Sequence, residues 1–264
     1  MFTKLLKHEW RATRGLVGLL CAIIGLSGLL TGGISRYMTW SSVTGNGFMV
    51  AVYTIILTAA VLAIFGCCAG AMYLLVYRFY KSRFTDQGYL MLTLPVTTHQ
   101  QLLSSITNTI LGTVLVGITA IVSAAVGLSI FLLTFEQGTA SEMWQVILNT
   151  WRVFENYPMF SAGWIAAKVL EFVTAFLADI ILLMLALTVG AQARKHPVLK
   201  GAAVYIGIDI LLAEASSLFV FYIDGNLENP QMWGAVFSCI LYAAAAGIAY
   251  FVMHHILDKK LNLV

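Results

Sequence analysis

Residues 78–95 read RFYKSRFTDQGYLMLTLP and form a polar, basic segment between two long apolar runs. Arg78, Lys81 and Arg83 place three cations within six residues, and we expect such a segment to lie outside the hydrocarbon of a membrane. The Asp-Gln-Gly sequence that follows is typical of a turn, and Pro95 stops the next apolar run. The pattern therefore predicts a short structured element rather than a loose linker.

The composition of the whole chain indicates an integral membrane protein. Of its 264 residues, 60% are hydrophobic and only 10% are charged. Soluble domains carry about a quarter charged residues, so the composition excludes a soluble enzyme. The net charge of +3 is too small to indicate a nucleic-acid partner.

The apolar runs predict an all-α polytopic membrane protein with six transmembrane helices in one domain, residues 1–264. Crossing the hydrocarbon takes about 20 residues. The expected spans are about 15–34, 48–77, 102–135, 164–193, 198–223 and 233–257. Thr97 and Thr98 are each followed three residues later by Gln, a capping-box pattern that starts the third helix. Residues 1–14 are expected as an amphipathic interfacial helix, and residues 136–163 as an extracellular segment.

The positions of the cations predict the orientation of the chain. All but three of the 15 lysines and arginines fall on one side of the expected spans, the exceptions being Arg36, Arg152 and Lys168. Segments rich in Lys and Arg stay in the cytoplasm, and six spans put both termini on one side. We therefore expect the termini and residues 78–95 to be cytoplasmic.

Motifs for chemistry within this chain are missing from the sequence. It contains no G-x-x-x-x-G-K-[ST] loop, so the chain is not expected to bind and hydrolyse ATP itself. His254 and His255 are adjacent, so one helix face cannot present both to a metal ion. We expect no catalytic, cofactor-binding or metal-binding residue. Gly28-x-x-x-Gly32 and Gly66-x-x-x-Gly70 are instead expected to permit close helix packing.

Five ionisable residues lie within the expected spans, where each costs at least about 2.5 kcal/mol unless it is paired or hydrated. They are Lys168, Glu171, Asp179, Asp209 and Glu214. Lys168 and Glu171 are one turn apart and can pair. Asp179 and Asp209 reach a similar depth because spans four and five run in opposite directions. Two interpretations stay open: a polar path for a cationic or amphipathic substrate, or hydrogen bonding between helices with one acid protonated.

Residues 80–96, YKSRFTDQGYLMLTLPV, closely resemble the segment between spans two and three of bacterial ABC-2-type transporter permeases, the transmembrane subunits of ABC exporters. The ends of the chain, LLKHEWRAT at 5–13 and KKLNL at 259–263, also resemble the ends of that family. The resemblance implies that residues 78–95 form a cytoplasmic coupling helix that contacts a separate ATPase subunit. The implied contact residues are Arg78, Tyr80, Lys81, Arg83, Phe84, Asp86, Gln87, Gly88 and Tyr89.

The resemblance further implies that ATP and Mg are bound by the partner ATPase and that a second permease copy, or a homologous permease, completes the transporter in the bacterial plasma membrane. The expected function is efflux of a small, peptidic or amphipathic cationic substrate, with membrane lipid as a further partner. The alternative is a non-transporting membrane sensor or assembly factor that uses the same helices to bind a cytoplasmic partner.

Overall fold

Long apolar runs without an internal proline give the chain its helices. The computed structural model describes residues 2–40, 47–84, 97–132, 144–145, 148–149, 152, 162–193, 195–223 and 230–259. Its long helices are α1 (Phe2–Trp40), α2 (Gly47–Phe84), α3 (Thr98–Leu132), α4 (Ala162–Ala191), α5 (Pro197–Ile223) and α6 (Pro230–Lys259). These six helices of the described chain are long and apolar enough to cross a membrane, as the sequence predicted for a multi-pass membrane protein.

The helices begin where local signals predict. Proline is the first residue of both α5 and α6, where its missing N–H costs nothing. At the start of α3 the Gln100 amide donates to the Thr97 hydroxyl at 3.4 Å, which fits the first of the two predicted capping boxes. The second pattern is not used in this way, because Thr98 donates to Asp258 and the Gln101 side chain accepts from Arg83.

Two helices extend beyond their expected ends. Residues 2–14, expected as a separate interfacial helix, are the first turns of α1. No proline interrupts residues 2–40, and a single glycine such as Gly15, at the expected boundary, does not stop a helix. Residues 78–84 likewise continue α2 beyond the expected end of span two at residue 77. Residues 85–96, and all but five positions of 136–161, lie outside the described residues.

The described chain divides into two compact units, and the first comprises residues 7–75 and 108–151. Its core is a cluster of buried apolar side chains from the first three helices. The members of this cluster are Val17, Leu20, Ile24, Ala71, Leu75 and Val116. They come from one face of each helix, as the helical period requires for a packed interface.

Small residues let α1 and α3 approach closely within this unit. A Cβ atom on Gly28 would lie 2.7 Å from the Ser123 carbonyl oxygen, and one on Gly32 would lie 2.9 Å from the Gly127 carbonyl oxygen. The Ser123 hydroxyl crosses the same interface and donates to the Ile24 carbonyl oxygen at 2.7 Å. The packing predicted for Gly28-x-x-x-Gly32 is thus confirmed.

Within the described part of the chain, no helix packs closely against Gly66 or Gly70. A Cβ atom at either position would meet nothing within 4 Å. The physical reason is that a small-residue pair allows a close approach without selecting the helix that makes it.

The second unit comprises residues 1–6, 76–107 and 152–264. Within it α4 packs against α5 and α6, and α5 packs against α6. Residues 182–188 of α4 are all buried, whereas α5 buries only Gly201 and Ile223. A Cβ atom on Gly190 would lie 2.7 Å from the Gly201 amide nitrogen, so α4 and α5 form a tight antiparallel hairpin. His196, in the connecting turn, has a left-handed φ of 52°.

Exposed hydroxyl groups on these helices bond to their own backbone. Thr54, Ser129 and Ser217 each donate to a carbonyl three or four residues earlier in the chain. Such bonds satisfy a polar group without water, so these residues can face hydrocarbon.

Candidate functional site

The guanidinium group of Arg83 joins the end of α2 to the start of α3. Arg83 Nη1 donates to Gln101 Oε1 at 3.1 Å, and Nη2 donates to the Gln101 carbonyl oxygen at 2.7 Å and to Ser105 Oγ at 2.8 Å. The Phe79 ring covers the group, with its centroid 5.0 Å from the Arg83 Cζ atom. Only 5% of Arg83 is exposed, so this cation is part of an internal clasp.

Other members of the predicted contact set are more accessible than Arg83. Lys81 is exposed, and Arg78, Tyr80 and Phe84 are partly buried. The Tyr80 and Phe84 rings stack, with centroids 5.7 Å apart, and Phe84 meets Phe79 edge-on at 6.3 Å. Asp86, Gln87, Gly88 and Tyr89 lie outside the described residues.

A second polar group joins the start of α3 to the end of α6. Thr98 donates to Asp258 Oδ1, and the Tyr250 hydroxyl hydrogen-bonds with His99 Nδ1. The His254 ring lies between these two contacts, 3.3 Å from Asp258 Oδ2 through its Nδ1 atom and 6.4 Å from the His99 ring centroid. Unlike the Arg83 clasp, this group is accessible to water, since His99 and Asp258 are exposed.

The first turn of α3 is therefore fixed on two sides. Arg83 bonds to it from α2, and residues 250–258 bond to it from α6. Phe84 and Thr97, the described residues on either side of positions 85–96, therefore belong to a region in which three long helices are joined by hydrogen bonds.

Of the five ionisable residues predicted within the spans, the structure brings four together in pairs and leaves Glu214 apart. Lys168 Nζ lies 2.7 Å from Glu171 Oε2, which confirms the predicted pair. Asp179 and Asp209 lie near each other, as expected from the antiparallel course of α4 and α5. Glu214 is about 140° further around α5 than Asp209 and is exposed, so it does not join them.

Tyr242 of α6 completes the group around Asp179. It lies near Asp179, Asp209 and Glu171, so three helices of the second unit contribute polar side chains at this level. Asp179 is half-buried and Asp209 is exposed. Paired acids beside a tyrosine can accept a cation or share a proton, and the role of the group stays a prediction.

Sequence reasoning missed several of these residues. The spacing of four between His254 and Asp258 is a signal that predicts their contact. No local signal identifies Gln101 and Ser105 as partners of Arg83, because they lie 18 and 22 residues away. Tyr242 carries no sequence signal that distinguishes it from other tyrosines near a span.

Comparison of this chain with protein-family models, with curated proteins and with solved structures gave no match.

Proposed function

We propose that the chain is the membrane-spanning permease subunit of an ATP-driven exporter, of the ABC-2 type that residues 80–96 resemble. A separate ATPase subunit binds ATP and Mg, and the permease acts as a dimer with itself or with a homologous permease. Both termini and residues 78–95 face the cytoplasm of a bacterial cell, with the chain in the plasma membrane. The observation that supports this best is the Arg83 clasp at the base of segment 85–96.

The clasp supports a mechanical role for that segment. A docking partner that moves segment 85–96 pulls on α2 through Phe84 and on α3 through Thr97. Because Arg83 holds these helix ends together with three buried hydrogen bonds, they move as one body. The contacts of Thr98 and His99 carry the same movement to α6. Chemical energy used by the ATPase thereby reaches three spans at once.

Exposure distinguishes the residues of the proposed contact surface. Lys81 is exposed, so it is the described cation of this segment best suited to orient an acidic groove on the ATPase. Arg83 supports the segment from inside and does not itself touch the partner. Phe84 and Tyr80 stiffen the end of α2 through ring stacking.

Asp179, Asp209 and Tyr242 are the proposed position for the cargo. The exposed Asp209 beside the half-buried Asp179 suits a cationic or amphipathic molecule, because two carboxylates at one level attract positive charge. Asp179→Asn and Asp209→Asn are each expected to reduce transport at unchanged melting temperature. Normal transport with a lower melting temperature would instead assign the acids to hydrogen bonding between helices.

Co-purification tests the proposal as a whole. The tagged full-length chain, expressed in its native host, is expected to retain an ATPase and to stimulate ATP hydrolysis after reconstitution. Lys81→Glu is expected to weaken retention by about tenfold, since an interfacial charge reversal introduces repulsion. Lys195→Glu, an equal charge change at another exposed lysine, is the matched control and leaves retention unchanged.

Failure of any ATPase to co-purify would contradict the proposal. Retention of a different cytoplasmic protein, lost in Lys81→Glu, would favour the sensor or assembly factor. Arg83→Ala is expected to lower the melting temperature as well as the coupling, because Arg83 supports the helix ends. Comparison with Lys81→Glu therefore separates support of the helices from docking of the ATPase.

A further inference from the structure

The first turns of α1 carry a basic face that the chain leaves uncovered. Lys7, Arg11 and Arg14 are all exposed, and spacings of four and three residues put them on one side of the helix. The opposite side is packed, since Thr13 is buried and its hydroxyl lies 3.2 Å from Asn108 Oδ1. We propose that this face binds the phosphate headgroups of anionic phospholipids at the membrane surface where α1 begins.

The charge on this face is uncompensated. Glu9 is the only acid among residues 2–40, and at two residues from Lys7 it points to a different side of the helix, about 200° away. None of the three cations forms an ion pair with another described residue. A partner of opposite charge therefore meets three available cations within two helical turns.

The position of the face along α1 matches the headgroup layer. The 39 residues of α1 span about 58 Å, whereas hydrocarbon is about 30 Å thick, so the helix projects beyond it. The apolar run begins at Gly15, which puts Arg14 at the edge of the hydrocarbon and Lys7 about 10 Å further out. A basic side chain at this depth meets lipid phosphates before it meets bulk water.

Arginine chemistry favours phosphate within this layer. Arg11 and Arg14 are one turn apart, so their planar guanidinium forks can hold the oxygens of one phosphate together. Lys7 adds a point charge for a neighbouring headgroup. Below Arg14, an added Cβ at Gly18 or Gly25 would meet nothing within 4 Å, which leaves room for the acyl chains of the same lipid.

A second copy of the chain fits this face less well. In a symmetric dimer built on this face, the same basic patch of both copies meets, so cations of one copy would lie near cations of the other. Like charges in that arrangement repel, whereas lipid phosphates neutralise them. The proposal does not depend on the transport function, because the lipid contact involves neither segment 85–96 nor Asp179.

Native mass spectrometry of the full-length protein in detergent, titrated with phosphatidylglycerol or phosphatidylcholine, tests the proposal. The unsubstituted protein is expected to bind phosphatidylglycerol preferentially. Arg11→Gln with Arg14→Gln is expected to weaken that binding roughly 25-fold, at about fivefold for each cation near a membrane surface. The matched control, Lys195→Gln with Lys200→Gln, removes two other exposed cations and changes binding less than twofold.

Four outcomes would overturn the proposal. Equal affinity for the two lipids would show that the face does not select anionic headgroups, and equal losses in the two double variants would show attraction to net charge alone. Competition by millimolar inorganic phosphate would assign the face to a free anion. Dissociation of a dimer by Arg11→Gln with Arg14→Gln in phosphatidylcholine vesicles would assign it to contact between copies. An unchanged circular dichroism spectrum verifies that the variants fold.

Discussion

The two halves of α3 are held in different ways. Residues 98–107 are held by side-chain hydrogen bonds, from the buried Arg83 on one side and the exposed Asp258 on another. Residues 108–132 pack closely on α1 at Gly28, Gly32 and Gly127, with hydrogen bonds of neutral groups from Ser123 and Thr13 across the same contact. A contact that includes charged groups responds to charge and to a docking partner, whereas a close contact of glycines and neutral groups responds mainly to volume. The first half is therefore suited to regulation and the second to a fixed geometry.

Removing the Arg83 side chain is expected to have the largest effect. Arg83→Ala leaves acceptors of Gln101 and Ser105 without their buried donor, so we expect a loss of about 3 kcal/mol in the free energy of unfolding. Arg83→Lys restores little, because an ammonium group cannot reproduce the guanidinium fork. Denaturant titration in mixed micelles measures both, and Arg78→Ala on the same helix is the control. A loss as small as that of the control would contradict the clasp.

Adding one methyl group at Gly28 is expected to have the next largest effect. The new Cβ would lie 2.7 Å from the Ser123 carbonyl oxygen, and backbone atoms cannot move aside cheaply. Overpacking of this kind costs about 2 kcal/mol. The same titration checks it.

Gly66→Ala is the matched control for this substitution. It meets open space and is expected to be neutral or to stabilise α2 by up to about 1 kcal/mol, through higher helix propensity. Equal losses for Gly28→Ala and Gly66→Ala would mean that close packing does not distinguish the second half of α3.

The exposed contact between α3 and α6 is expected to have the smallest effect on stability. Thr98→Val and Asp258→Ala each remove the hydrogen bond between these residues, but water competes for both groups, so we expect losses under about 1 kcal/mol. A double-mutant cycle measures the coupling between the two positions, with an expected value of about 0.5 kcal/mol. A coupling of zero would mean that this contact does not join the helices.

The sequence predicted the helices better than the contacts between them. Runs of apolar residues, Pro197, Pro230 and the Thr97 cap act locally, so element type and most helix starts follow from neighbouring residues. The burial of Arg83 depends on residues of another helix, and its basic neighbours made it resemble a surface cation. The pairing of Lys168 with Glu171 was predictable because both lie on one helix.

The glycines show the same difference between features that neighbouring residues specify and contacts that depend on another helix. The sequence of α2 shows that another helix could pack closely at Gly66 and Gly70, but no neighbouring residue indicates whether another helix packs there. By contrast, the proximity of Asp179 and Asp209 was predictable, because a short turn between two spans sets their relative depth.

The close approach of Gly190 to Gly201 has a consequence for how the chain enters the membrane during synthesis. α5 carries two carboxylates, Asp209 and Glu214, and each raises the cost of inserting an isolated helix by about 2.5 kcal/mol or more. α4 also carries Lys168, Glu171 and Asp179 but is more apolar than α5 over the length of a span, and a turn of a few residues joins the two helices. Insertion of the two as one hairpin lets the glycine contact form before α5 meets lipid alone. Separating α4 from α5 with a long linker should therefore leave α5 outside the bilayer in a glycosylation-mapping assay.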